Sequence, residues 1–262
     1  MPLSTSLILA VPALAVSKPV DFASSIMSSI SNGIAASPTA SGPGGSALRT
    51  RPWTVIVAPG TWYQPVDVNF GMLEDAARIR DEFTRQADQG NNVILIAHSY
   101  AGVPTSTAVA GLSVKDRAAA GKKGGVVGVP VQVSLLNALR GQFLAWFNGQ
   151  FINPINPAYV LYNDLTNKPS VSWAVSQVRS KTKKILSEKN IFQPWKNGIP
   201  VGYLYTTPDN ALPLSMEQSI IADFPAEVFK VRIDTGHPPF LSQPKAMAKT
   251  IKAAAVQFSA SK

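Results

Sequence analysis

Residues 92–102 read Asn-Val-Ile-Leu-Ile-Ala-His-Ser-Tyr-Ala-Gly, an apolar run that stops abruptly at a serine between small residues. The run Val93–Ile96 is rich in β-branched side chains and follows turn residues at 90–92, which is typical of a strand buried on both faces. Ser99 comes at the end of this run. The stretch therefore predicts a buried strand that delivers a serine to the next turn.

Ser99 has an alanine two positions before it and another two positions after it, at Ala97 and Ala101. This is the spacing of the Gly-x-Ser-x-Gly nucleophile elbow, with alanine at both glycine positions. Small residues are needed there because strand and helix approach closely on either side of a strained turn. The alternative is an ordinary buried strand followed by a helix that Ser99 caps. The stretch by itself leaves both interpretations open.

The bulk composition is that of a globular protein and argues against several kinds of metal site. Hydrophobic residues make up 45% of the 262, and the net charge of +9 is dispersed along the chain. The chain has no cysteine, which excludes disulfides, thiolate metal sites and a cysteine nucleophile, and its two histidines argue against a multi-histidine metal site. We expect no nucleic-acid partner, since no fold signature of a nucleic-acid reader is present. The oligomeric state is left open.

Residues 1–50 are predicted to lie outside the folded domain, which we expect at 51–262. The apolar run Leu7–Val16 ends in an Ala-x-Ala pattern typical of a secretory signal, but no Lys or Arg precedes it and Pro12 interrupts it. The alternative is a disordered or loosely docked terminus, which favours a cytoplasmic over a secreted protein. The run is too short for a membrane-spanning helix, so we expect no stable membrane insertion. Residues 23–48 are dominated by Ser, Ala, Gly and Pro, as in a linker.

From residue 51 onward, predicted strands alternate with predicted helices. Strands are expected at 53–58, 93–96, 126–136, 200–207 and 227–234, and helices at 72–87, 101–112, 215–221 and from 244. This alternation indicates an α/β fold with a mostly parallel sheet. An aromatic-rich insertion at about 137–198 suits a helical cap over an apolar pocket, the alternative being that its aromatic residues are core.

Three polar residues, Ser99, Asp209 and His237, each follow a predicted strand. The carboxyl ends of parallel strands form the edge at which open α/β sheets place their sites. A serine nucleophile needs a base that takes its proton. Because His98 adjoins Ser99 and is expected to point to the other side of the turn, His237 remains as the candidate for this base. Asp209 is favoured over Asp234, which lies inside the strand leading to His237. Helix capping is the alternative role for Asp209.

On these residues the chain resembles the α/β-hydrolase superfamily, in particular a fungal branch related to plant methylesterases and hydroxynitrile lyases. The order Ser, Asp, His along the chain is that of the family's catalytic triad. The resemblance covers about Arg51 to the C-terminus. It rests on Ala58-Pro59-Gly60-Thr61-Trp62, on the elbow at 98–102, on 203–213 around Asp209, and on the Gly-His-Pro-Pro-Phe-Leu-Ser-Gln-Pro run at 236–244.

The resemblance implies a serine hydrolase acting on a small or medium apolar carboxylic ester or lactone. Ser99 is then the nucleophile, His237 the base and Asp209 the residue that orients it. Backbone N–H groups of Thr61 and Tyr100 are implied as the oxyanion hole, and no metal or organic cofactor is implied. Substrate contacts are expected from Trp62, Phe143 and Trp146. Hydroxynitrile-lyase relatives carry a lysine close after the histidine, whereas Pro238 and Pro239 stand here, so hydrolysis is favoured over the lyase reaction.

The chain departs from the family's pattern between Trp62 and Met72. Only residues 63–71 separate them, which is too few for a crossover helix and a further strand. The resemblance therefore predicts that a strand beside the 53–58 strand is missing. The N-terminal segment could cover the exposed edge, the sheet could be truncated, or the sequence could have lost coding material. A truncated sheet favours a non-catalytic or vestigial ligand-binding fold as the alternative function.

Overall fold

The computed structural model describes residues 5–10, 54–57, 67–132, 145–149, 151–176, 178 and 180–260, of which 5–10, 54–57, 130–132, 145–148 and 259–260 are described by their backbone. Its strands are β1 (Thr5–Ala10), β2 (Thr54–Val57), β3 (Asn92–His98), β4 (Gly125–Gln132), β5 (Ala145–Asn148), β6 (Phe151–Pro154), β7 (Lys181–Thr182), β8 (Val201–Thr206) and β9 (Phe229–Ile233). Six of them form one parallel sheet in the order β2-β1-β3-β4-β8-β9. The predicted mostly parallel α/β sheet is confirmed.

The N-terminal run is part of this sheet. β1 lies between β2 and β3, with Leu9 paired to Val57 on one side and Ala10 paired to Ala97 on the other. The prediction that residues 1–50 lie outside the domain was therefore wrong for Thr5–Ala10. So was the prediction that a strand beside the 53–58 strand is missing, because β1 occupies that position. Cleavage after the Ala-x-Ala pattern would remove a central strand.

Helices pack on both faces of the sheet. They are α1 (Met72–Asp88), α2 (Gly102–Ala108), α3 (Val114–Ala119), α4 (Pro157–Leu161), α5 (Lys168–Ser176), α6 (Lys184–Ser187), α7 (Leu214–Ala222), α8 (Pro239–Ser242) and α9 (Pro244–Ala260). Helix α3 lies between the predicted helix at 101–112 and the predicted strand at 126–136. Within the residues that the structure describes, none of the helices has the length and apolar character needed to span a bilayer.

β3 divides the core into two layers. Val93 and Leu95 pack with Ile79 and Phe83 of α1, at helical spacing, on one face. Ile94 and Ile96 point to the opposite face, where the apolar side chains of α9, among them Ile251 and Phe258, pack. Alternate side chains of a strand point to opposite faces, so a strand between two helical layers must be apolar throughout, as this run is.

The layer under α9 depends on small residues in the sheet. A Cβ on Gly128 of β4 would lie 2.3 Å from the ring of Phe258, and one on Gly202 of β8 would lie 3.1 Å from it. Phe258 is 2% exposed, and its ring fills the space above these glycines on two neighbouring strands. Glycine at these positions allows α9 to lie close to the sheet.

The insertion was predicted to be a helical cap, but it contains strands as well as helices. β5, β6 and β7 form a second, antiparallel sheet, accompanied by the short helices α4, α5 and α6. Asn148 pairs with Phe151 across a two-residue connection in which Gly149 has a φ of 59°. A glycine at the first position of a two-residue connection is a hairpin signal, and the aromatic residues on either side favour strands, which explains the difference.

Candidate active site

Ser99 lies at a sharp turn between β3 and α2. The strand ends at His98, residues Ser99–Ala101 form one 3₁₀ turn, and α2 follows directly. Ser99 has a φ of 54°, in the left-handed region that residues with a Cβ rarely adopt. Such a conformation costs free energy and persists where the surrounding packing enforces it. The turn aims the serine hydroxyl past the end of the sheet.

The structure brings Ser99, His237 and Asp209 into one hydrogen-bonded chain. His237 Nε2 lies 2.9 Å from Ser99 Oγ, and His237 Nδ1 lies 2.8 Å from Asp209 Oδ2. Since a carboxylate only accepts, Nδ1 carries the hydrogen and Nε2 is left to accept from the serine hydroxyl. All three side chains are buried. This arrangement can activate an alcohol as a nucleophile.

Asp209 is held as an anion by four donors. Its Oδ1 accepts from the backbone N–H groups of Ala211 and Leu212, at 2.7 and 2.9 Å. Its Oδ2 accepts from His237 and from the Thr206 hydroxyl, at 2.8 and 3.1 Å. Burial alone would raise the pKa of Asp209, but the neighbouring His237 and these N–H donors hold it below its usual value. Asp234, the other sequence candidate, is exposed and bonds to Thr207 instead.

His98 holds the main chain of the histidine loop. Its Nε2 lies 3.0 Å from the carbonyl oxygen of His237, to which it donates, and the two ring centroids are 4.8 Å apart. Burial, and secondarily the neighbouring His237, lower the pKa of His98 to about 3. His98 is therefore a neutral donor that fixes the position of the loop carrying His237. Sequence reasoning had set it aside, because its partner is 139 positions away along the chain.

Tyr100 is anchored from two directions. Its hydroxyl donates to Asp75 Oδ2 at 2.9 Å, and Lys181 Nζ lies 4.6 Å from the centre of its ring. Burial lowers the pKa of Lys181 to about 8, with the charge of Asp75 opposing the shift. The first N–H groups of a helical turn have no partner within it, so the Tyr100 N–H is available in the 3₁₀ turn that precedes α2.

The insertion is bonded to both loops that carry the other triad members. Asp164 Oδ2 accepts from the Gly236 N–H at 2.7 Å and from the Thr235 hydroxyl at 2.6 Å, next to His237. Asn163 Nδ2 donates to the carbonyl of Pro208, next to Asp209. A Cβ on Gly236 would lie 2.6 Å from Asp164 Oδ1, so a side chain at this position would push Asp164 away from the histidine loop. Sequence reasoning missed both insertion residues.

Four predicted site residues are not tested by this geometry. Thr61, Trp62 and Phe143 lie outside the described residues, and Trp146 lies in β5, which is described by its backbone. Their assigned roles in the oxyanion hole and in substrate contact stay predictions. The strand that precedes Thr61 is β2, which β1 separates from β3.

Comparison of the sequence with known proteins finds a matching family and a curated relative. Residues 29–250 match the family model described as the alpha/beta hydrolase family. A curated relative, the alpha/beta hydrolase nvfD of Aspergillus novofumigatus (strain IBT 16806), is 28% identical over 197 residues, covering 70% of this chain and 77% of that protein.

Solved structures with low sequence identity share the fold over nearly the whole chain. The pyrethroid hydrolase of Sphingobium faniae JZ-2 is 17% identical with a TM-score of 0.64, covering 95% of this chain and 96% of that one. The methylesterase MES16 of Arabidopsis is 11% identical with a TM-score of 0.67, covering 96% and 99%. The predicted α/β-hydrolase type of fold is confirmed by these likenesses.

Proposed function

The chain belongs to the alpha/beta hydrolase family, and from that premise we propose that it is a serine hydrolase cleaving a small or medium apolar carboxylic ester or lactone. The observation that carries the proposal is the buried chain of hydrogen bonds from Asp209 through His237 to Ser99, with Ser99 at a φ of 54°. A serine used only for structure needs neither the strained turn nor the histidine.

The proposed reaction proceeds through an acyl-enzyme. Ser99 Oγ attacks the ester carbonyl carbon while His237 Nε2 takes the hydroxyl proton. As the tetrahedral intermediate collapses, the bond from the carbonyl carbon to the alcohol oxygen breaks, and His237 returns the proton to that oxygen. A water molecule then attacks the acyl carbon with His237 again as base, which releases the acid and restores Ser99. Asp209 holds Nδ1–H throughout and stabilises the imidazolium.

The oxyanion formed in both halves of the reaction needs two donors, each typically worth about 3 kcal/mol. We assign one to the N–H of Tyr100. Thr61 remains the predicted second donor, but β2 lies two strand spacings, roughly 10 Å, from β3. The chain that follows Ala10 starts nearer to Ser99 than the chain that follows Val57. Thr61 can therefore serve only if its loop crosses the end of β1.

Two further observations support an ester as the substrate. Similar folds carry the names pyrethroid hydrolase and methylesterase. The insertion is rich in aromatic residues, which favours an apolar substrate. The vestigial alternative was favoured by the missing strand, and β1 removes that argument.

A fluorophosphonate probe, which reacts with activated serines, tests the proposal. We expect the folded protein to be labelled and to hydrolyse aryl esters of short to medium acyl chains. Ser99→Ala should abolish labelling and lower kcat/KM by about 10⁴-fold or more. Ser106→Ala is the matched control, because Ser106 is equally buried and its one hydrogen bond within the described part of the chain is to the carbonyl of Gly102.

Two outcomes would contradict the proposal. Labelling that survives Ser99→Ala places the reactive group elsewhere. Tight binding of apolar esters by a well-folded protein that neither turns them over nor reacts with the probe would support the non-catalytic alternative.

A further inference from the structure

Two buried carboxyl groups share one hydroxyl behind the triad. Thr206 Oγ1 lies 3.1 Å from Asp209 Oδ2 and 3.3 Å from Oε1 of Glu217, and the Thr206 N–H donates to Glu217 Oε2 at 3.0 Å. Thr206 ends β8, and Glu217 lies on α7, the helix that follows the Asp209 loop. Thr206 and Glu217 have no exposed surface, and Asp209 is 4% exposed.

If both carboxyl groups are ionised, the hydroxyl of Thr206 cannot donate a hydrogen bond to Asp209 Oδ2 and to Glu217 Oε1 at the same time. A threonine hydroxyl has one hydrogen to donate, whereas ionised carboxylates only accept. If the hydroxyl donates to Asp209, an ionised Glu217 faces the lone pairs of Thr206 Oγ1 across 3.3 Å without a hydrogen between them. A proton on Glu217 resolves this conflict, because the acid then donates to Thr206 and Thr206 donates to Asp209.

Asp209 is the group that stays ionised. It has donors from Ala211, Leu212 and His237 besides Thr206, whereas Glu217 has, within the described part of the chain, only the Thr206 N–H in addition to the shared hydroxyl. Donors stabilise the charged form of a carboxyl group in a buried site, so the proton belongs to the acid that has fewer of them.

We propose that Glu217 is a positioning residue that remains protonated, donates to Thr206 Oγ1, and thereby commits the Thr206 hydroxyl to Asp209. This inference rests on the proposed serine hydrolase function for its effect on activity. The full chain of hydrogen bonds then runs from Glu217 through Thr206, Asp209 and His237 to Ser99. A neutral Glu217 also leaves the charge of Asp209 without a second anion beside it.

The electrostatics of the site agree with the hydrogen-bond count. Burial, and then the charge of Asp209, raise the pKa of Glu217 to about 9, while the two bonds from Thr206 oppose the shift. Among the described residues, the other titratable group that faces both acids is Tyr203 of β8, whose buried hydroxyl has its pKa raised by burial, Glu217 and Asp209. Tyr203 therefore stays neutral and supplies no positive charge that would ionise Glu217.

The test compares Glu217→Gln with Glu217→Ala. A third variant, Thr206→Val, removes the shared hydroxyl itself. A glutamine side chain has the shape and hydrogen-bonding pattern of a neutral glutamic acid, since its amide donates to Thr206 Oγ1 and its carbonyl accepts from the Thr206 N–H. We expect Glu217→Gln to keep kcat/KM at neutral pH within about twofold of the parent. Glu217→Ala and Thr206→Val should each lose roughly tenfold to hundredfold, the effect of a hydrogen bond to a charged group.

The pH profile separates positioning from a merely structural role. Activity of the parent should fall on the alkaline side as Glu217 ionises near pH 9, whereas Glu217→Gln should lack this step. An ionised Glu217 at neutral pH would instead make Glu217→Gln as impaired as Glu217→Ala, with an unchanged alkaline limb, and that result would overturn the proposal.

An infrared measurement tests the inference without turnover. The parent at neutral pH should show the carbonyl band of one buried protonated carboxyl group, and Glu217→Gln should lose that band. If the band is lost but neither protein hydrolyses esters, the proposed function fails while the protonated Glu217 stands. If Ser99 is confirmed as nucleophile and no such band is lost, the function stands and this inference is wrong.

Discussion

Ala10 of β1 and Ala97 of β3 are paired neighbours in the parallel sheet, and Ala97 lies two positions before Ser99, the proposed nucleophile. One of the two strands that adjoin β3 therefore comes from the first ten residues of the chain. β1 also has a second partner in β2, which would otherwise have no neighbour. An N-terminal segment that looks dispensable in the sequence thus holds the sheet together beside the site.

Ile8→Pro should unfold or strongly destabilise the protein. Ile8 is paired with Ile56 on one side and Leu95 on the other, so a proline there removes a ladder hydrogen bond in an interior strand, where proline is not tolerated. We expect a loss of at least about 1–3 kcal/mol in the free energy of unfolding, measured by urea denaturation. Ile8→Val is the matched control, since it keeps both the β-branch and the backbone donor. Equal stability of the two variants would contradict the placement of β1.

Gly128→Ala should destabilise the protein through the packing of α9. Its Cβ would meet the ring of Phe258 at 2.3 Å, which forces the helix or the ring to move, at a cost of about 1–3 kcal/mol. Combining it with Phe258→Leu should recover part of this loss, because the smaller side chain leaves room for the new methyl group. The melting temperatures of the two single variants and the double variant measure this coupling. Simple additivity of the two effects would argue against direct contact.

Sequence patterning succeeded where one segment carries its own signal. β3 was predicted from four consecutive apolar residues because it packs on both faces, and α1 and α9 from apolar residues at helical spacing. The predicted triad residues meet because the ends of parallel strands share one edge, so chain order and strand position were sufficient to bring them together.

Patterning failed where the partner is distant in sequence. β1 has the composition of a signal sequence, and only its pairing with residues more than 40 positions away identifies it as a strand. Glu217 and Asp164 are acidic residues of the kind expected at the surface, yet Glu217 bonds to Thr206 at the end of β8 and Asp164 bonds to the loop before His237. These contacts depend on tertiary packing, which no local periodicity reports.

His98→Gln should make stability less sensitive to acid. The pKa of His98 is lowered from 6.5 to about 3 in the folded protein, so its contribution to stability is present above pH 6.5 and is lost as pH falls toward 3. A glutamine at this position does not titrate, and its amide can donate to the carbonyl of His237. We expect the stability difference between parent and variant to shrink as pH falls from about 7 to about 4 in urea denaturation. Parallel pH curves would show that His98 is not neutral in the folded state.

Asp164→Ala should impair turnover more than folding. Asp164 accepts from the Gly236 N–H and the Thr235 hydroxyl, and the loop that it fixes carries His237. Without this acceptor the imidazole loses its fixed approach to Ser99, and misplacement of about 1 Å at a reacting group can cost 10²-fold in rate. We expect kcat to fall by roughly tenfold to hundredfold with a smaller change in KM.

Asp164→Asn is the control that separates the hydrogen bonds from the charge. Its amide oxygen can accept from both donors that Asp164 Oδ2 serves, so most of the activity lost in Asp164→Ala should be retained. Ser170→Ala, which removes an exposed hydroxyl elsewhere in the insertion, should leave kcat unchanged. If Asp164→Asn is as slow as Asp164→Ala, the negative charge beside the histidine loop is what matters. If neither variant changes kcat, the insertion does not position His237, and His98 with its bond to the His237 carbonyl must hold the loop without it.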